Sequence, residues 1–309
     1  MAFTAQDVKT LREKTGVGMM ECKKALTEAN GDMDKAIDFL REKGLAAAAK
    51  KSTRIAAEGA VLCYYDEEKK IGVVVEVNSE TDFVAKNEKF QNFVMGVAKT
   101  IAATKPADVE TLMNEKFDGT DLTVTETLNE LILAIGENMK VRRFEILEGN
   151  VATYIHGNGT VGVMVNFDLA DDAAAASDAF KVMGKDVAMQ VAAMNPLYLN
   201  EASVPADVLA HEKEILAKQL QEDEKNKNKP AQVIEKIVNG RIAKYFKENC
   251  LLDQVYVKDN DLTVEKYINS VAKELGTEIK ATAFVRMAKG EGLEKKEDNF
   301  AAEIASLTK

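Results

Sequence analysis

The stretch IGVVVEV, residues 71–77, is matched by VGVMVNF, residues 161–167, which lies 90 positions further along the chain. Both stretches are rich in β-branched residues and follow a short polar turn segment, so each predicts a β-strand. Neighbouring residues recur at the same offset: Gly59 and Gly149, Phe90 and Phe180, Val97 and Val187, Pro106 and Pro196. The chain therefore contains one unit twice, and each copy begins with two strands followed by a helix.

The end of the unit recurs at a larger offset, because DLTV at residues 121–124 is matched at residues 261–264, 140 positions later. The second copy thus contains about 50 extra residues between Pro196 and Asp261. Two amphipathic helical patterns there flank the charged segment EDEKNKNKP, which predicts an antiparallel helical hairpin (coiled coil) over residues 206–250. Each copy ends in a strand pattern, VRRFEIL or ATAFVRM, so both predict small antiparallel sheets with helices on one face.

The first 45 residues predict three short helices, which are separated by TGVG and by Asn30–Gly31. The basic, alanine-rich segment LAAAAKKSTRIAAEG follows, and its composition fits a linker that is either helical or flexible. The sequence thus predicts an α+β chain with a helical head and linker at residues 1–52, a first lobe at 53–147 and a second lobe at 148–289.

Composition narrows the class of partner and the compartment. The chain has 309 residues and a formal net charge of -10, which disfavours nucleic acid and anionic membranes as partners. Its three cysteines, Cys22, Cys63 and Cys250, form no CxxC pair, which argues for a reducing compartment and against a zinc site. The start of the chain lacks an apolar leader, and no uncharged apolar run reaches about 18 residues. We therefore expect a soluble cytoplasmic protein.

One motif has the spacing of a dinucleotide site, since HGNGTVG contains G-x-G-x-x-G at Gly157, Gly159 and Gly162. Such a site needs a helix that begins at the glycines, whereas a strand pattern follows them here. Asn158–Gly159 instead predicts a hairpin turn. The two histidines are not spaced as a metal pair, and no Walker A sequence or clustered nucleophile and base is present. We therefore predict no enzyme activity, no metal site and no cofactor.

The stretch SETDFVAKNEKF, residues 79–90, contains an aromatic residue where no hydrophobic pattern requires one. Phe83 is either a staple folded back onto the core or an exposed anchor for a partner protein. The repeat favours the anchor, because the matching position is Ala173 and the second copy folds without an aromatic there. Thr81 and Asp82 are predicted to hold the turn by hydrogen bonds from side chain to backbone, just before a helix begins.

Two adjacent methionines, Met19 and Met20, raise a similar question at the start of the second helix. Adjacent helical residues point about 100° apart, so the two side chains cannot both lie at the centre of a small three-helix core. They are either ordinary core filling or a soft apolar surface for a partner.

The chain also carries the motifs TGVGMMECKKAL, TDFVAKNE, IGENMKVRR, HGNGTVGV and GEGLEKKEDNFAAEIA. Over essentially its whole length, it resembles the bacterial translation elongation factor Ts family. The resemblance implies a guanine nucleotide exchange factor that binds the complex of elongation factor Tu with GDP, displaces Mg²⁺ and promotes GDP release so that GTP can bind. It also implies a head similar to ubiquitin-associated (UBA) domains and a C-terminal helical module at residues 290–309.

The resemblance further implies which residues contact the partner. Four residues match the segment that presses on the G domain of elongation factor Tu and dislodges its Mg²⁺: Thr81, Asp82, Phe83 and Val84. Five more are implied to contact the same partner: Met19, Met20, Lys23, Ile135 and His156. The chain departs from the family at Lys258, where an apolar residue is usual, so the second contact is not assigned to Val257 and Lys258.

The residues themselves leave two classes of function open. An exchange factor accelerates GDP release from elongation factor Tu at substoichiometric amounts, whereas a passive binding protein with the same surface forms a complex and leaves the release rate unchanged. The oligomeric state is open as well: the chain acts in a single complex with its partner, or two such complexes pair through the helical hairpin.

Overall fold

The computed structural model describes residues 3–223 and 229–294, and it confirms the predicted α+β class. Three N-terminal helices precede two small antiparallel sheets with packed helices. Most of the predicted C-terminal helical module, residues 295–309, lies outside the described residues. Within the described ranges, no helix has the length and apolar character needed to cross a membrane.

The head contains three helices: α1 (Ala5–Thr15), α2 (Met19–Glu28) and α3 (Met33–Lys51). Thr4 and Asp7 form a capping box at the start of α1, and Gly16 ends the helix in the left-handed conformation. The helices enclose a small apolar core: Val8, Leu11, Val17, Cys22, Leu26 and Leu40. Because α3 continues to the second lysine of the alanine-rich segment, the helical alternative for that segment is the observed one.

Lobe 1 consists of one sheet and four helices: β1 (Glu58–Asp66), β2 (Ile71–Ser79), α4 (Asp82–Ala85), α5 (Glu88–Thr104), α6 (Val109–Asn114), α7 (Val124–Ile135) and β3 (Met139–Glu148). The strands are antiparallel in the order β1-β2-β3. The central strand β2 is buried along its whole length, because α5 and α7 cover one face of the sheet and lobe 2 covers the other.

Lobe 2 repeats this plan with an added pair of helices: β4 (Asn150–His156), β5 (Val161–Leu169), α8 (Asp178–Met194), α9 (Ala206–Glu222), α10 (Ala231–Asn249), β6 (Val255–Tyr256), β7 (Asp259–Thr263), α11 (Val264–Leu275) and β8 (Ile279–Ala288). Its main sheet is antiparallel in the order β4-β5-β8. Asn158 and Gly159 both have positive φ in the turn between β4 and β5, so the predicted hairpin is present in place of a nucleotide site.

The two lobes match residue by residue. β5 and α8 begin and end 90 positions after β2 and α5, while α11 and β8 lie 140 positions after α7 and β3. Even an irregularity recurs, since the strand register shifts between Glu76 and Val77 in lobe 1 and between Asn166 and Phe167 in lobe 2. A β-bulge increases the local twist of a sheet, so both sheets are twisted at the same point.

The two sheets pack face to face, and a glycine from each central strand permits the close approach. A Cβ atom added to Gly72 would lie 2.6 Å from the Val151 side chain, and one added to Gly162 would lie 2.5 Å from the Val61 side chain. Val61 and Val151 are themselves equivalent positions of the repeat, 90 residues apart. The lobes are therefore related like the subunits of a two-fold symmetric dimer within one chain.

The two added helices, α9 and α10, occupy the predicted hairpin insertion. They share an apolar cluster: Leu209, Leu216, Leu220, Ile234, Val238, Ile242 and Phe246. This cluster is separate from the core of lobe 2, as expected for an addition to a complete unit.

The head packs on lobe 1 through α3 and α7. Leu133 of α7 joins the apolar cluster of the head, and Arg41 lies 3.6 Å from Glu130 of α7. Gly44 of α3 is buried against the Asn129 backbone, where a Cβ atom would lie only 3.0 Å from the carbonyl oxygen. The close contact fixes the head on the outer side of lobe 1.

A buried carboxylate ties the end of lobe 2 to lobe 1. Glu76 is fully buried and accepts hydrogen bonds from Arg143 Nε at 2.6 Å, Arg142 Nη1 at 3.1 Å, Asn78 Nδ2 at 3.0 Å and the Gly290 backbone N–H at 2.7 Å. Burial raises the pKa of Glu76, but the hydrogen bonds outweigh that effect and hold the pKa below its ordinary value. The carboxylate is thus stabilised in its charged form.

Candidate partner-binding site

The segment that follows β2 presents an aromatic ring to solvent. Phe83 lies in the four-residue helix α4 and its side chain is 80% exposed, whereas its neighbour Val84 is buried in the core of lobe 1. The ring is therefore neither a staple nor a core residue within this chain. Val84 anchors the segment in the core of lobe 1, and the Phe83 ring remains available to a partner.

Thr81 is held in place by a residue that sequence reasoning did not single out. Its backbone N–H donates to Glu137 Oε2 at 3.0 Å, and its hydroxyl donates to Glu137 Oε1 at 2.7 Å. Thr81 therefore makes no side-chain cap at the start of α4, and the predicted bond from its side chain to its own turn is wrong. The hydroxyl is already used by the carboxylate, while the Ser79 hydroxyl donates to the Thr81 carbonyl at 2.9 Å.

A second carboxylate ties the same segment to the turn between α7 and β3. Glu80 accepts a hydrogen bond from the Asn138 backbone N–H at 2.6 Å and one from Arg54 at 3.3 Å. The Asn138 side chain donates in turn to the Arg54 carbonyl at 2.8 Å. The segment after β2, the chain that follows α3 and the turn before β3 thus form one hydrogen-bonded unit.

Asp82 and Lys86 flank the exposed ring. Lys86 Nζ lies 2.7 Å from Asp82 Oδ2 and 5.8 Å from the centre of the Phe83 ring. The hydrogen bond from Lys86 lowers the pKa of Asp82, and Lys289 near the end of lobe 2 adds a smaller effect in the same direction. Asp82 thus pairs one turn along the helix instead of capping α4.

Met19 and Met20 are exposed at the start of α2, by 52% and 74% respectively, and Lys23 is exposed one turn further on. Cys22 and Leu26 fill the head core on the opposite side, so the observed exposure argues against ordinary core filling. Exposed apolar side chains of this kind are typical of interaction surfaces.

A lysine connects the head surface to the Phe83 segment. Lys89, in the first turn of α5, donates to the Gly16 carbonyl at 2.8 Å, directly before the turn that leads to α2. Because α5 follows α4 by only two residues, this bond fixes the turn before Met19 relative to the helix that follows Phe83.

Ile135 lies at another edge of lobe 1, and His156 lies at the edge of lobe 2 that meets lobe 1. Ile135 ends α7, packs partly on the lobe 1 core and precedes the Glu137 turn. His156 is exposed at the end of β4, with its Nδ1 atom 3.1 Å from the Tyr154 hydroxyl. The turn that begins after His156 is pinned on lobe 1, since the Gly159 carbonyl accepts from the Val61 backbone N–H at 2.9 Å.

The same turn also connects indirectly with Asp82. Thr160 accepts a hydrogen bond from the backbone N–H of Lys289 at 2.8 Å, and Lys289 is one of the charges that lower the pKa of Asp82. The predicted site residues therefore lie on separate elements, α2, α4, the end of α7 and the end of β4. Hydrogen bonds from Lys89 and to Glu137 link three of them, whereas the Lys289 ammonium is paired with Glu58 and adds only a charge near Asp82.

The equivalent turn of lobe 2 has a different surface. A 3-10 helix, Asp172–Ala176, replaces α4 and places the exposed Ala173 where lobe 1 has Phe83. Asp172 is paired with Lys70 at 2.7 Å and with Asn150 at 2.9 Å. The turn is thus tied to its neighbours and offers no aromatic side chain.

Lys258 is used inside lobe 2. Its ammonium lies 2.6 Å from Asp186, which also accepts a hydrogen bond from the Tyr256 hydroxyl at 2.8 Å. Val257 remains 43% exposed beside it. Lys258 therefore has a structural partner of its own within lobe 2.

The described residues contain no cluster of three or more metal-ligating side chains that could hold an ion. Glu137 and Lys89 are the site residues that sequence reasoning missed. Both belong to stretches quoted above, IGENMKVRR and SETDFVAKNEKF, but a pattern along the chain does not reveal contacts made 56 or 73 positions away.

Comparison with known proteins identifies the family. The family model described as elongation factor TS matches residues 80–291. Elongation factor Ts of Clostridium kluyveri is 53% identical over 306 residues, which cover 98% of this chain and 97% of the relative. Elongation factor Ts of Clostridium perfringens strain SM101 is 53% identical over 308 residues, covering 99% of both chains. The chain therefore belongs to the elongation factor Ts family, the cytoplasmic, non-catalytic factors that exchange nucleotide on elongation factor Tu during translation elongation.

Proposed function

We propose that this exchange factor acts through the segment Thr81–Val84, with Phe83 as an apolar wedge against the G domain of elongation factor Tu. A G protein holds GDP through backbone amides and a Mg²⁺ ion that bridges phosphate and protein oxygens. An aromatic side chain pressed against these elements displaces the Mg²⁺, and GDP then leaves. The observation that carries the proposal is the 80% exposure of Phe83 on a turn that Thr81 and Val84 hold in place.

No covalent chemistry is needed for this effect. A factor that binds the nucleotide-free partner more tightly than the GDP-loaded partner weakens nucleotide binding by the same free energy, because the two binding equilibria are linked. The chain needs only a rigid platform, an exposed wedge and polar groups that set the orientation. Lobe 1 supplies all three: a sheet covered on both faces, Phe83, and the hydrogen bonds of Thr81 and Glu80.

The remaining contacts are proposed to frame the wedge. Met19, Met20 and Lys23 form an exposed surface at one end of the head, and Lys89 holds that end against α5. Ile135 and His156 complete the contact face from the ends of α7 and β4. A soft methionine surface adapts to the shape of a partner, which suits a G domain that changes conformation as it loses GDP.

The finer organisation is also a proposal. We infer that residues 1–52 form a UBA-like head with its linker, that residues 53–147 and 148–289 form the two lobes, and that the hairpin over 206–250 is a coiled-coil insertion. A second contact with elongation factor Tu, outside the G domain, belongs to lobe 2. Light scattering on the purified complex decides whether it is a single complex or a pair joined through the hairpin, since the pair has twice the mass.

The Phe83→Ala variant tests the wedge. Loss of a buried interface aromatic costs about 1.4 to 3 kcal/mol, so release of fluorescent GDP from elongation factor Tu should slow by about ten- to a hundredfold. The melting temperature should stay nearly unchanged, because the ring is exposed in the free chain. A passive binding protein would not accelerate release in either form, and full-speed release by the variant would refute the wedge.

The matched control is the neighbouring Val84→Ala variant. Val84 is buried in the lobe 1 core, so its truncation should lower the free energy of unfolding by about 2 kcal/mol. Adjacent residues should thus differ: Phe83→Ala slows release without a loss of stability, whereas Val84→Ala removes the anchor of the same segment, lowers stability, and slows release only together with that loss.

A further inference from the structure

We propose that Glu137 is a positioning residue for nucleotide exchange: it holds Thr81 so that Phe83 points at the partner. The proposal rests on the wedge function of Phe83. Both oxygens of the carboxylate are used on one residue, with the Thr81 N–H at 3.0 Å from Oε2 and the Thr81 hydroxyl at 2.7 Å from Oε1. Two bonds to one residue fix its orientation as well as its distance.

The segment has few other restraints near its tip. α4 contains only four residues, and its first residue receives no side-chain cap. Asp82 is bonded to Lys86, one turn along the same short helix, so that pair does not tie the helix to the sheet. Thr81, which the Glu137 carboxylate holds, and the buried Val84 lie on either side of Phe83 in sequence. Removing the carboxylate therefore removes both bonds to the Thr81 N–H and hydroxyl, and leaves this end of the segment held by the Ser79 bond to the Thr81 carbonyl and by the Glu80 bonds.

The equivalent bond in lobe 2 is weaker and serves a turn without an aromatic. The positions that match Thr81 and Glu137 are Asp171 and Thr277, and they share one bond, from the Asp171 N–H to the Thr277 hydroxyl at 3.0 Å. At this position lobe 2 thus has a single neutral acceptor, and its turn is held in addition by Asp172, which pairs with Lys70 and Asn150. Lobe 1 has the bidentate, charged acceptor at the turn that carries the exposed aromatic ring.

A fixed wedge accelerates exchange because orientation is set before the partner binds. A ring that moves among several directions must be ordered at the moment of contact, and that ordering reduces the free energy available to displace Mg²⁺. Glu137 itself need not touch elongation factor Tu. Its effect passes through Phe83 alone, which is the feature that separates a positioning residue from a contact residue.

The test is a double-mutant cycle on the full-length chain, with the maximal rate of fluorescent GDP release measured at saturating factor. Glu137→Ala should slow release by about tenfold, and Glu137→Gln, which keeps one acceptor oxygen, should recover part of that loss. Thr277→Ala is the matched control in lobe 2 and should release GDP at the wild-type rate. Melting temperatures of all variants report the structural cost separately.

The double variant Phe83→Ala/Glu137→Ala decides between the alternatives. If Glu137 acts through Phe83, the double variant should release GDP within about twofold of Phe83→Ala alone, since coupled residues are non-additive. Losses that multiply, or a slowing by Thr277→Ala as large as that by Glu137→Ala, would overturn the positioning role and leave the wedge intact. Full-speed release by Phe83→Ala would instead refute the wedge itself. If Glu137→Ala does not fold, the same cycle is carried out with Glu137→Gln.

Discussion

Lobe 1 and lobe 2 have the same three-stranded sheet, the same main helices and the same β-bulge, but they differ in what they expose. The helix α7 of lobe 1 carries Leu133 towards the head, whereas the equivalent position of α11 is the exposed Lys273. The turn after the central strand carries Phe83 in lobe 1 and Ala173 in lobe 2. Features common to both lobes are therefore requirements of the fold, and features found in one lobe mark the surfaces it has gained.

The two lobes also differ in the polar side chain at the β-bulge, which is charged in lobe 1 and neutral in lobe 2. Glu76 and Asn166 occupy the same place at the bulge, yet Glu76 is surrounded by donors while the Asn166 side-chain oxygen has no partner. The fold of the unit does not need a charge at this point. The charge in lobe 1 serves the connection to Gly290 and the end of lobe 2.

The largest stability effect is expected at Glu76. Glu76→Gln leaves Arg142 and Arg143 without their carboxylate, and removal of one partner from a buried ion pair costs about 3 kcal/mol where the other partner is partly exposed. Chemical denaturation measures the loss. Asn166→Ala, at the matching position, should cost less than about 1 kcal/mol, and equal losses would show that the bulge itself requires a polar group.

A smaller effect is expected at the two interface glycines. Gly72→Ala and Gly162→Ala each introduce a methyl group that overlaps a valine of the other lobe, and such overpacking costs about 1 to 2 kcal/mol. The two-fold relation predicts nearly equal losses in thermal unfolding. A large difference between the two variants would mean that the two sheets do not meet symmetrically.

Packing of the head on lobe 1 should respond to one substitution that replaces a residue of lobe 1 by its equivalent from lobe 2. Leu133→Lys gives α7 the residue that α11 has, and we expect a loss of about 1 kcal/mol because Leu133 is only half-buried. Hydrogen exchange should then show faster opening of α3. Lys273→Leu is the control and should leave exchange of the head amides unchanged, whereas unaltered α3 protection in Leu133→Lys would show that other contacts hold the head.

The smallest expected effect is the change with acidic pH in the stability that Glu76 contributes. The pKa of Glu76 is lowered in the folded chain, so its contribution to stability is complete above about pH 4.3, the ordinary pKa of glutamate, and is lost as the pH falls through the folded value. The stability difference between wild type and Glu76→Gln should therefore shrink below about pH 4. A difference that stays constant down to pH 3 would contradict the lowered pKa.

Much of the fold follows from the sequence because the repeat is compared with itself. The stretches IGVVVEV and VGVMVNF predict one strand in each lobe, and the two offsets predict the helix that follows it and the insertion in the second lobe. The exposure of Phe83 was anticipated for the same reason, since Ala173 showed that no aromatic was needed there. Each of these inferences uses residues close together in sequence or related by a fixed spacing.

The missed features depend on contacts between distant parts of the chain. The alanine-rich segment after Leu45 fits a helical or a flexible linker, and what the sequence did not reveal is that Gly44 lets the helical form, α3, pack closely on α7. Composition is the same for a flexible segment and for a helix that needs small residues at its contact face. Glu137 was missed for a related reason, because a carboxylate after a helix has the same pattern whether it faces solvent or a threonine on another element.

The position of α7 has one further consequence, for changes in chain length. The head rests on residues 129–133 of this helix, and the turn just after it holds Thr81. A single residue inserted in α7 between these two attachments would rotate everything beyond it by about 100° and advance it by about 1.5 Å. Met19 on the head and Phe83 on lobe 1 would then no longer face a partner in the same relative orientation. The distance between the two proposed contact surfaces is thus set by the number of residues of one helix, which makes α7 far less tolerant of insertion or deletion than of substitution.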